Sequence, residues 1–220
     1  MTRIALIHAL AQSLPPINEA MARLWPQAQC MNLLDDSLSA DLARQGTLDD
    51  AMTQRFIALA DYAFGCGADA ILFTCSAFGP CIDAVKSRHP TRPVLKPNEA
   101  MVDEAVALAN RLGCRIGLVA SFGPTLDSMP AEFPASGQPL TALADGALQA
   151  LYAGDTAGHD LRAADAAATL AAGSCGVIAL AQFSLARAAP AVAARTGLPV
   201  VTTVDSAVRR LQAALADSPR

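Results

Sequence analysis

Three short segments of this chain occur twice, in the same order in each half. The pairs are residues 3–9 with 115–121, 69–75 with 176–182, and 93–95 with 199–201. The offsets between paired residues are 112, 107 and 106. A nearly constant offset over three segments indicates an internal duplication, so we expect two halves that fold alike. The alternative is a single doubly wound sheet, whose apolar strands also resemble one another.

Each repeated segment is a short apolar run of the kind that forms a buried parallel strand. Helical patterns lie between these runs, at about 15–24, 48–64, 80–86, 98–111, 142–153, 159–172, 186–194 and 206–216. Alternating strands and helices predict right-handed βαβ units. We therefore predict an α/β fold of two pseudo-symmetric, flavodoxin-like lobes with parallel sheets. Residues 1–97 with 206–220 form the first predicted lobe, and residues 98–205 form the second.

Composition narrows the classes of protein. A net charge of −4 without a basic run argues against a nucleic-acid surface. No apolar stretch reaches the ~18 residues of a membrane span, and the first residues do not resemble a signal peptide, so a cytoplasmic location is expected. The six cysteines form no CxxC pair, which predicts reduced thiols without a zinc site or disulfide framework.

Ligands of parallel α/β sheets bind beyond the carboxyl ends of the strands. Two similar lobes are expected to place two such ends face to face, with the active site in the cleft between them. Cys75 closes one repeated strand and precedes Pro80, a residue that suits the first turn of a helix. A helix N-terminus there would lower the thiol pKa and attract a carboxylate. The other five cysteines are interpreted as small buried hydrophobic residues.

Further candidates follow other strand ends. Hydroxyl groups that could bind a carboxylate belong to Ser76, Ser121, Thr125 and Ser184, although each also suits a helix cap or a turn. His8 ends the first strand and is a second candidate for acid/base chemistry. His89 and His159 are expected on the surface.

Two other kinds of site, a phosphatase loop and a nucleotide-binding site, fit the sequence less well. The phosphate loop of small tyrosine phosphatases needs an arginine six residues after the cysteine, and that position holds Cys81. Dinucleotide and nucleotide binding would need GxGxxG or GxxxxGK[ST], and neither motif occurs. We therefore expect neither a cofactor nor a metal.

The Thr74-Cys75-Ser76 segment, the two-lobe repeat and the segment 180–185 together resemble the Asp/Glu racemase superfamily over essentially the whole chain. This superfamily includes aspartate, glutamate and hydantoin racemases, maleate isomerase and arylmalonate decarboxylase, all without a cofactor. Its racemases use one cysteine from each lobe, on opposite faces of the substrate α-carbon. The resemblance assigns Cys75 to the first of these positions and Gln182 to the second.

Gln182 departs from the racemase pattern, because glutamine cannot exchange a proton at neutral pH. The resemblance then implies proton transfer next to a carboxylate with Cys75 as acid/base. With the residues at the other strand ends, the candidate catalytic residues are Cys75, His8 and Gln182, and the candidate substrate-binding residues are Ser76, Ala77, Ser121, Thr125, Phe183 and Ser184. Its implied partner is a small carboxylate-bearing substrate, and a homodimer is common in the family.

Two alternatives to a racemase or isomerase stay open. Arylmalonate decarboxylase also has one active-site thiol, although in the opposite lobe, so a single-cysteine decarboxylase fits the sequence. A non-catalytic protein that binds a carboxylate fits it as well. Cys75→Ala separates an enzyme from a binding protein, since a binding protein would keep its affinity and an enzyme would lose turnover.

Overall fold

The structure is a computed structural model that describes residues 2–216. The chain divides into two compact units. One contains the described residues up to Pro97 together with those from Ala207 on, and the other is Asn98–Ser206. Within residues 2–216, none of the helices combines the length and the apolar character that crossing a membrane requires.

The first unit is built around a four-stranded parallel sheet in the order β2-β1-β3-β4. Its elements are β1 (Arg3–His8), α1 (Leu14–Leu24), β2 (Gln29–Leu34), α2 (Ser37–Gln45), α3 (Asp50–Gly65), β3 (Ala70–Phe73), α4 (Gly79–Arg88) and β4 (Val94–Leu95). On one face of the sheet, Phe56 of α3 packs against Phe73 of β3, with ring centroids 5.2 Å apart. From Ala207 on, helix α10 (Thr203–Ala216) also belongs to this unit, and its Gln212 donates a hydrogen bond to the Leu24 carbonyl of α1.

The second unit has the same architecture, with a parallel sheet in the order β6-β5-β7-β8. Its elements are α5 (Glu99–Leu112), β5 (Arg115–Ala120), α6 (Gly123–Ser128), β6 (Leu140–Leu143), α7 (Ala147–Tyr152), α8 (Thr156–Ala172), β7 (Cys175–Leu180), α9 (Ala189–Thr196) and β8 (Val200–Thr202). Helix α5 packs on one face of the sheet, and α8 and α9 pack on the other.

The prediction of an α/β fold with two parallel-sheet lobes is confirmed, and the repeat extends to individual hydrogen bonds. Corresponding backbone bonds link corresponding residues in both sheets: Thr74 N–H to Ile7 O and Ala181 N–H to Val119 O, at 3.0 and 2.9 Å, and Ile71 N–H to Pro93 O and Ile178 N–H to Pro199 O, both at 2.9 Å. The strand registers agree too, since Ile7 pairs with Phe73 and Val119 pairs with Leu180. Residues 75 and 182 therefore occupy the same position relative to their sheets.

Two strands lie where the sequence suggested something else. Strand β2 was not predicted, and β6 covers the beginning of the segment 142–153, which was predicted to be helical. Both are edge strands whose residues are partly or fully exposed. An edge strand lacks the continuous apolar run of a central parallel strand, so its pattern does not distinguish it from a helix or a loop. The helical prediction for residues 142–146 is therefore wrong, and the helix there is α7.

The close approach of Gly176 in β7 to Cys114, the residue before β5, gives a testable prediction about stability. Gly176 lies at an irregularity in the pairing, and a Cβ there would lie 2.5 Å from both Cβ and Sγ of Cys114. We expect Gly176→Ala to lower the free energy of unfolding by about 1–3 kcal/mol, the usual cost of overpacking. Adding Cys114→Gly removes both clashing atoms and should restore part of the loss.

Gly65→Ala is the matched control, because a Cβ at that position meets nothing within 4 Å. It should change stability by no more than about 0.5 kcal/mol. Urea denaturation measures all three variants. Equal stability of Gly176→Ala and the wild type would contradict the close contact.

Candidate active site

Cys75 lies just beyond the carboxyl end of β3, in extended backbone with φ −127° and ψ 121°. A 3-10 turn, Ser76–Phe78, follows it, and α4 begins at Gly79 with Pro80 in its first turn. Phe78 is fully buried, and its ring centroid lies 4.9 Å from that of Phe56. This anchor fixes the turn on the core, while Ser76 and Ala77 are exposed and the Cys75 thiol is partly buried.

The acidity of the Cys75 thiol differs from the expectation. Burial raises its pKa above the ordinary value, and a hydrogen bond from the Ala77 N–H to the sulfur offsets this in part. The predicted lowering is wrong because the 3-10 turn separates the thiol from α4 and burial disfavours the thiolate. At neutral pH Cys75 is therefore a protonated thiol, which suits it to deliver a proton.

Behind Cys75, a buried polar network reaches the residue before it. The ring Nδ1 of His8 lies 2.9 Å from both the Ser13 and the Thr74 hydroxyl oxygens, which are themselves 2.9 Å apart. Its Nε2 lies 3.0 Å from Oδ1 of Asn32 on β2. Because both ring nitrogens of His8 are engaged within the first unit, the histidine holds Thr74 and the end of β3 in place.

The tautomer of His8 follows from its partners. The amide nitrogen of Asn32 donates to the Asn18 side chain, so the Asn32 oxygen faces His8 and the Nε2–H donates to it. Nδ1 then accepts a hydrogen bond from a hydroxyl group. Burial lowers the pKa of His8 below the ordinary 6.5, more than the Asn32 bond raises it. The imidazole is therefore neutral at physiological pH.

This lowered pKa predicts a component of stability that depends on pH. The unfolded chain takes up a proton near pH 6.5 while the folded chain does not, so stability falls as pH decreases from there to the folded pKa of His8. The slope is at most about 1.4 kcal/mol per pH unit. Denaturation of His8→Gln at a series of pH values should lack this component, whereas His89→Gln should keep it. Identical pH profiles of His8→Gln and the wild type would contradict the assignment.

In the second unit, Gln182 occupies the position that corresponds to Cys75. It too is extended, with φ −132° and ψ 149°, and precedes a 3-10 turn, Phe183–Ala188. Its side-chain oxygen accepts hydrogen bonds from the backbone N–H of Ser121 at 2.7 Å and from the Ser121 hydroxyl at 3.1 Å. Ser121, whose hydroxyl was predicted to bind a carboxylate, therefore holds the Gln182 amide through two donors.

The remaining predicted site residues belong to this second group. Thr125 is buried in α6, and its N–H donates to the Phe122 carbonyl at 3.1 Å. Phe183 is buried and Ser184 is partly exposed. The site residues thus form two groups, one in each unit: His8, Cys75, Ser76 and Ala77, and Ser121, Thr125, Gln182, Phe183 and Ser184.

Known proteins share this architecture. No protein-family model matches the chain, and no curated protein matches it in sequence. Solved structures do match. Glutamate racemase from Bacillus anthracis superposes with a TM-score of 0.72 at 12% identity, over 98% of this chain and 82% of that one. Allantoin racemase from Klebsiella pneumoniae gives 0.68 at 18%, over 98% and 88%. This chain has the Asp/Glu racemase fold.

Arylmalonate decarboxylase shares the same fold. Its unliganded structure matches with a TM-score of 0.62 at 14% identity, and the match covers 100% of this chain and 95% of that one. The racemase fold seen in these structures agrees with the resemblance drawn from the sequence.

The two lobes differ in the polar residues at corresponding strand ends. The residues that correspond to His8 and Thr74 are Ala120 and Ala181, so the second lobe has no counterpart of the network behind Cys75. Little in the sequence pointed to a role for Ser13 or Asn32. Asn32 interrupts an apolar run, Cys30 to Leu34, but its partner could be identified only once β2 was placed beside β1.

Two further observations concern histidine and metals. His159, expected on the surface, is fully buried because it lies on the inward face of α8 with Ala163 and Ala167. Its Nδ1 contacts Asp160 at 2.8 Å, while Nε2 has no hydrogen-bond partner among the described residues. Residues 2–216 contain no group of three or more His, Cys, Asp or Glu side chains that could hold a metal ion.

Proposed function

We propose that this chain catalyses proton transfer at a carbon next to a substrate carboxylate, as a racemase-like or isomerase-like enzyme without a cofactor. Cys75 is the acid/base. The observation that supports this most is the place of Cys75: a partly buried thiol at the strand end, with Thr74 held by His8 on one side and a turn anchored by Phe78 on the other. Groups fixed in this way suit acid/base catalysis, which depends on geometry first.

The proposed reaction passes through an enolate. The bond to the α-hydrogen breaks, its electron pair moves onto the carboxylate, and the proton goes to the thiolate form of Cys75. The reverse step returns a proton from the thiol to the carbon. Because burial raises the Cys75 pKa, the thiolate is the minor form at neutral pH. Removal of a proton should therefore accelerate as pH rises, while delivery proceeds from the form that predominates.

Substrate binding is assigned to neutral groups. We propose that Ser76, Ala77, Thr125, Phe183 and Ser184 line the substrate site, the hydroxyl groups among them as donors to the carboxylate. Neutral donors placed where negative charge develops stabilise an enolate without needing a cation.

A single-cysteine decarboxylase is the second candidate. It is favoured by the presence of one thiol and one amide at the two corresponding strand ends, and by the match over nearly full length to arylmalonate decarboxylase. In that reaction a C–C bond of a substituted malonate breaks, carbon dioxide leaves, and the electron pair forms the same enolate. The Cys75 thiol then delivers the proton, and solvent restores it to the thiolate formed.

One experiment tests both candidates. The protein is incubated in deuterium oxide with a panel of amino acids, hydantoins, substituted malonates and maleate, and the products are followed by NMR. We expect deuterium at the α-carbon of at least one substrate class, or loss of carbon dioxide from a malonate, and neither with Cys75→Ala. Ligand binding without exchange by the wild type would instead favour a carboxylate-binding protein.

A further inference from the structure

We infer that Gln182 binds the substrate carboxylate through its amide N–H groups and serves as an oxyanion donor at the position where racemases of this fold carry their second thiol. This inference rests on the proposed function and adds the role of the second lobe. The orientation of the Gln182 side chain is set by its two hydrogen bonds with Ser121.

The Ser121 backbone N–H is a donor and can be satisfied only by an acceptor. The Gln182 atom 2.7 Å from it must therefore be the amide oxygen rather than the amide nitrogen. The Ser121 hydroxyl, 3.1 Å from the same oxygen, adds a second donor. Both contacts direct the oxygen toward Ser121, and the planar amide group then directs its NH₂ away from Ser121.

The Gln182 NH₂ is available for a ligand. Among the described residues no hydrogen bond to it is formed, and the side chain is partly exposed beyond the carboxyl end of β7. Parallel sheets bind ligands at this end. Two N–H donors at a fixed position suit an oxygen with negative charge, and they cannot accept or release a proton at neutral pH.

The chemical class of the ligand follows from the fact that the Gln182 NH₂ group only donates hydrogen bonds. An NH₂ group selects an acceptor, which is a carboxylate oxygen in the substrate and the same oxygen with greater negative charge in the enolate. The contact should therefore strengthen as the proton leaves the α-carbon. Loss of one oxyanion donor typically costs a factor of about 10² to 10³ in rate.

Gln182→Glu is the sharpest variant. Its carboxylate can still accept both hydrogen bonds from Ser121, so the local structure is kept, but a negatively charged oxygen replaces the NH₂. Gln182→Met has a similar size and neither donor nor acceptor. Ser121→Ala removes the 3.1 Å bond and keeps the N–H, so it should have a smaller effect than either substitution at Gln182.

Affinity for malonate, measured by calorimetry in a Cys75→Ala background, separates this inference from the proposed function, because binding is read without turnover. We expect Gln182→Glu to weaken malonate binding about 10- to 100-fold, as for a lost charge-assisted hydrogen bond plus repulsion, and Gln182→Met to weaken it less. If both variants bind malonate as tightly as their parent, the inference is overturned, while exchange that depends on Cys75 would still support the proposed function.

NMR of the wild-type protein gives a second test, in which binding is followed on the unchanged Gln182 side chain. The side-chain ¹⁵NH₂ signals of Gln182 are assigned by their absence in Gln182→Met or Gln182→Glu spectra. Addition of malonate should shift them downfield, as expected for a new hydrogen bond to a carboxylate. Signals that stay unchanged at saturating malonate would overturn the inference.

Discussion

Cys75→Ser is expected to lower turnover by a factor of about 10² to 10⁴, the usual contribution of a positioned acid or base. A serine hydroxyl is nearly as large as the thiol and can still accept the hydrogen bond from the Ala77 N–H. It does not, however, ionise near neutral pH. The affinity for the carboxylate should change little, because the proposed donors are other groups. The rate of deuterium incorporation into the best substrate of the panel measures the loss.

Cys66→Ser is the control for this prediction. Cys66 is also partly buried in the first unit, but it follows the end of α3 rather than a strand. It should keep the activity of the wild type. Wild-type rates for Cys75→Ser, with the same fold, would place the acid/base elsewhere, and the neutral imidazole of His8 would become the first candidate.

Gln182→Cys is expected to raise inversion at the α-carbon relative to exchange by a factor on the order of 10², as a second positioned acid or base would. Residue 182 has the same register in its sheet that Cys75 has in the other, so the new thiol would supply the second cysteine that the resemblance to racemases leads us to expect. Ser121, released from the glutamine oxygen, would offer its N–H to a thiolate. Loss of the Gln182 amide should slow exchange at the same time.

The ratio of inversion to exchange therefore tests this prediction better than either rate. Chiral chromatography gives the inversion and mass spectrometry gives the exchange, on the same sample. Gln182→Ser is the matched control, because serine is close in size to cysteine but has no group that ionises near neutral pH. A ratio for Gln182→Cys no higher than that for Gln182→Ser would show that residue 182 does not act on the substrate carbon.

Much of the architecture could be predicted from the sequence because central parallel strands are continuous apolar runs. The repeated segments at 3–9 and 115–121 became β1 and β5, and Cys75 followed from its place after such a run. The edge strands β2 and β6 were missed because exposure on one side mixes polar residues into their sequences. The contact between His8 and Asn32 of β2 was therefore missed as well.

The chemistry of the site depended on distances that the sequence does not contain. His8 and Asn32 meet because β1 pairs with β2, and Ser121 and Gln182, 61 residues apart, meet because β5 pairs with β7. These hydrogen bonds give His8 and Ser121 partners that could not be identified from the sequence. The pKa of Cys75 likewise depends on burial, which opposes and outweighs the N–H donor expected near a helix.

In the mechanism we propose, Cys75 is the acid/base and its counterpart, Gln182, transfers no proton. Exchange and inversion, measured together on one pure enantiomer of the best substrate in deuterium oxide, distinguish this mechanism from one with two acid/base groups. With one thiol, protons leave and return on the same face of the enolate. The wild type should therefore incorporate deuterium with retained configuration, much faster than it inverts the centre, and Cys75→Ser should lose the exchange. Inversion as fast as exchange in the wild type, with both rates unchanged in Cys75→Ser, would contradict this mechanism.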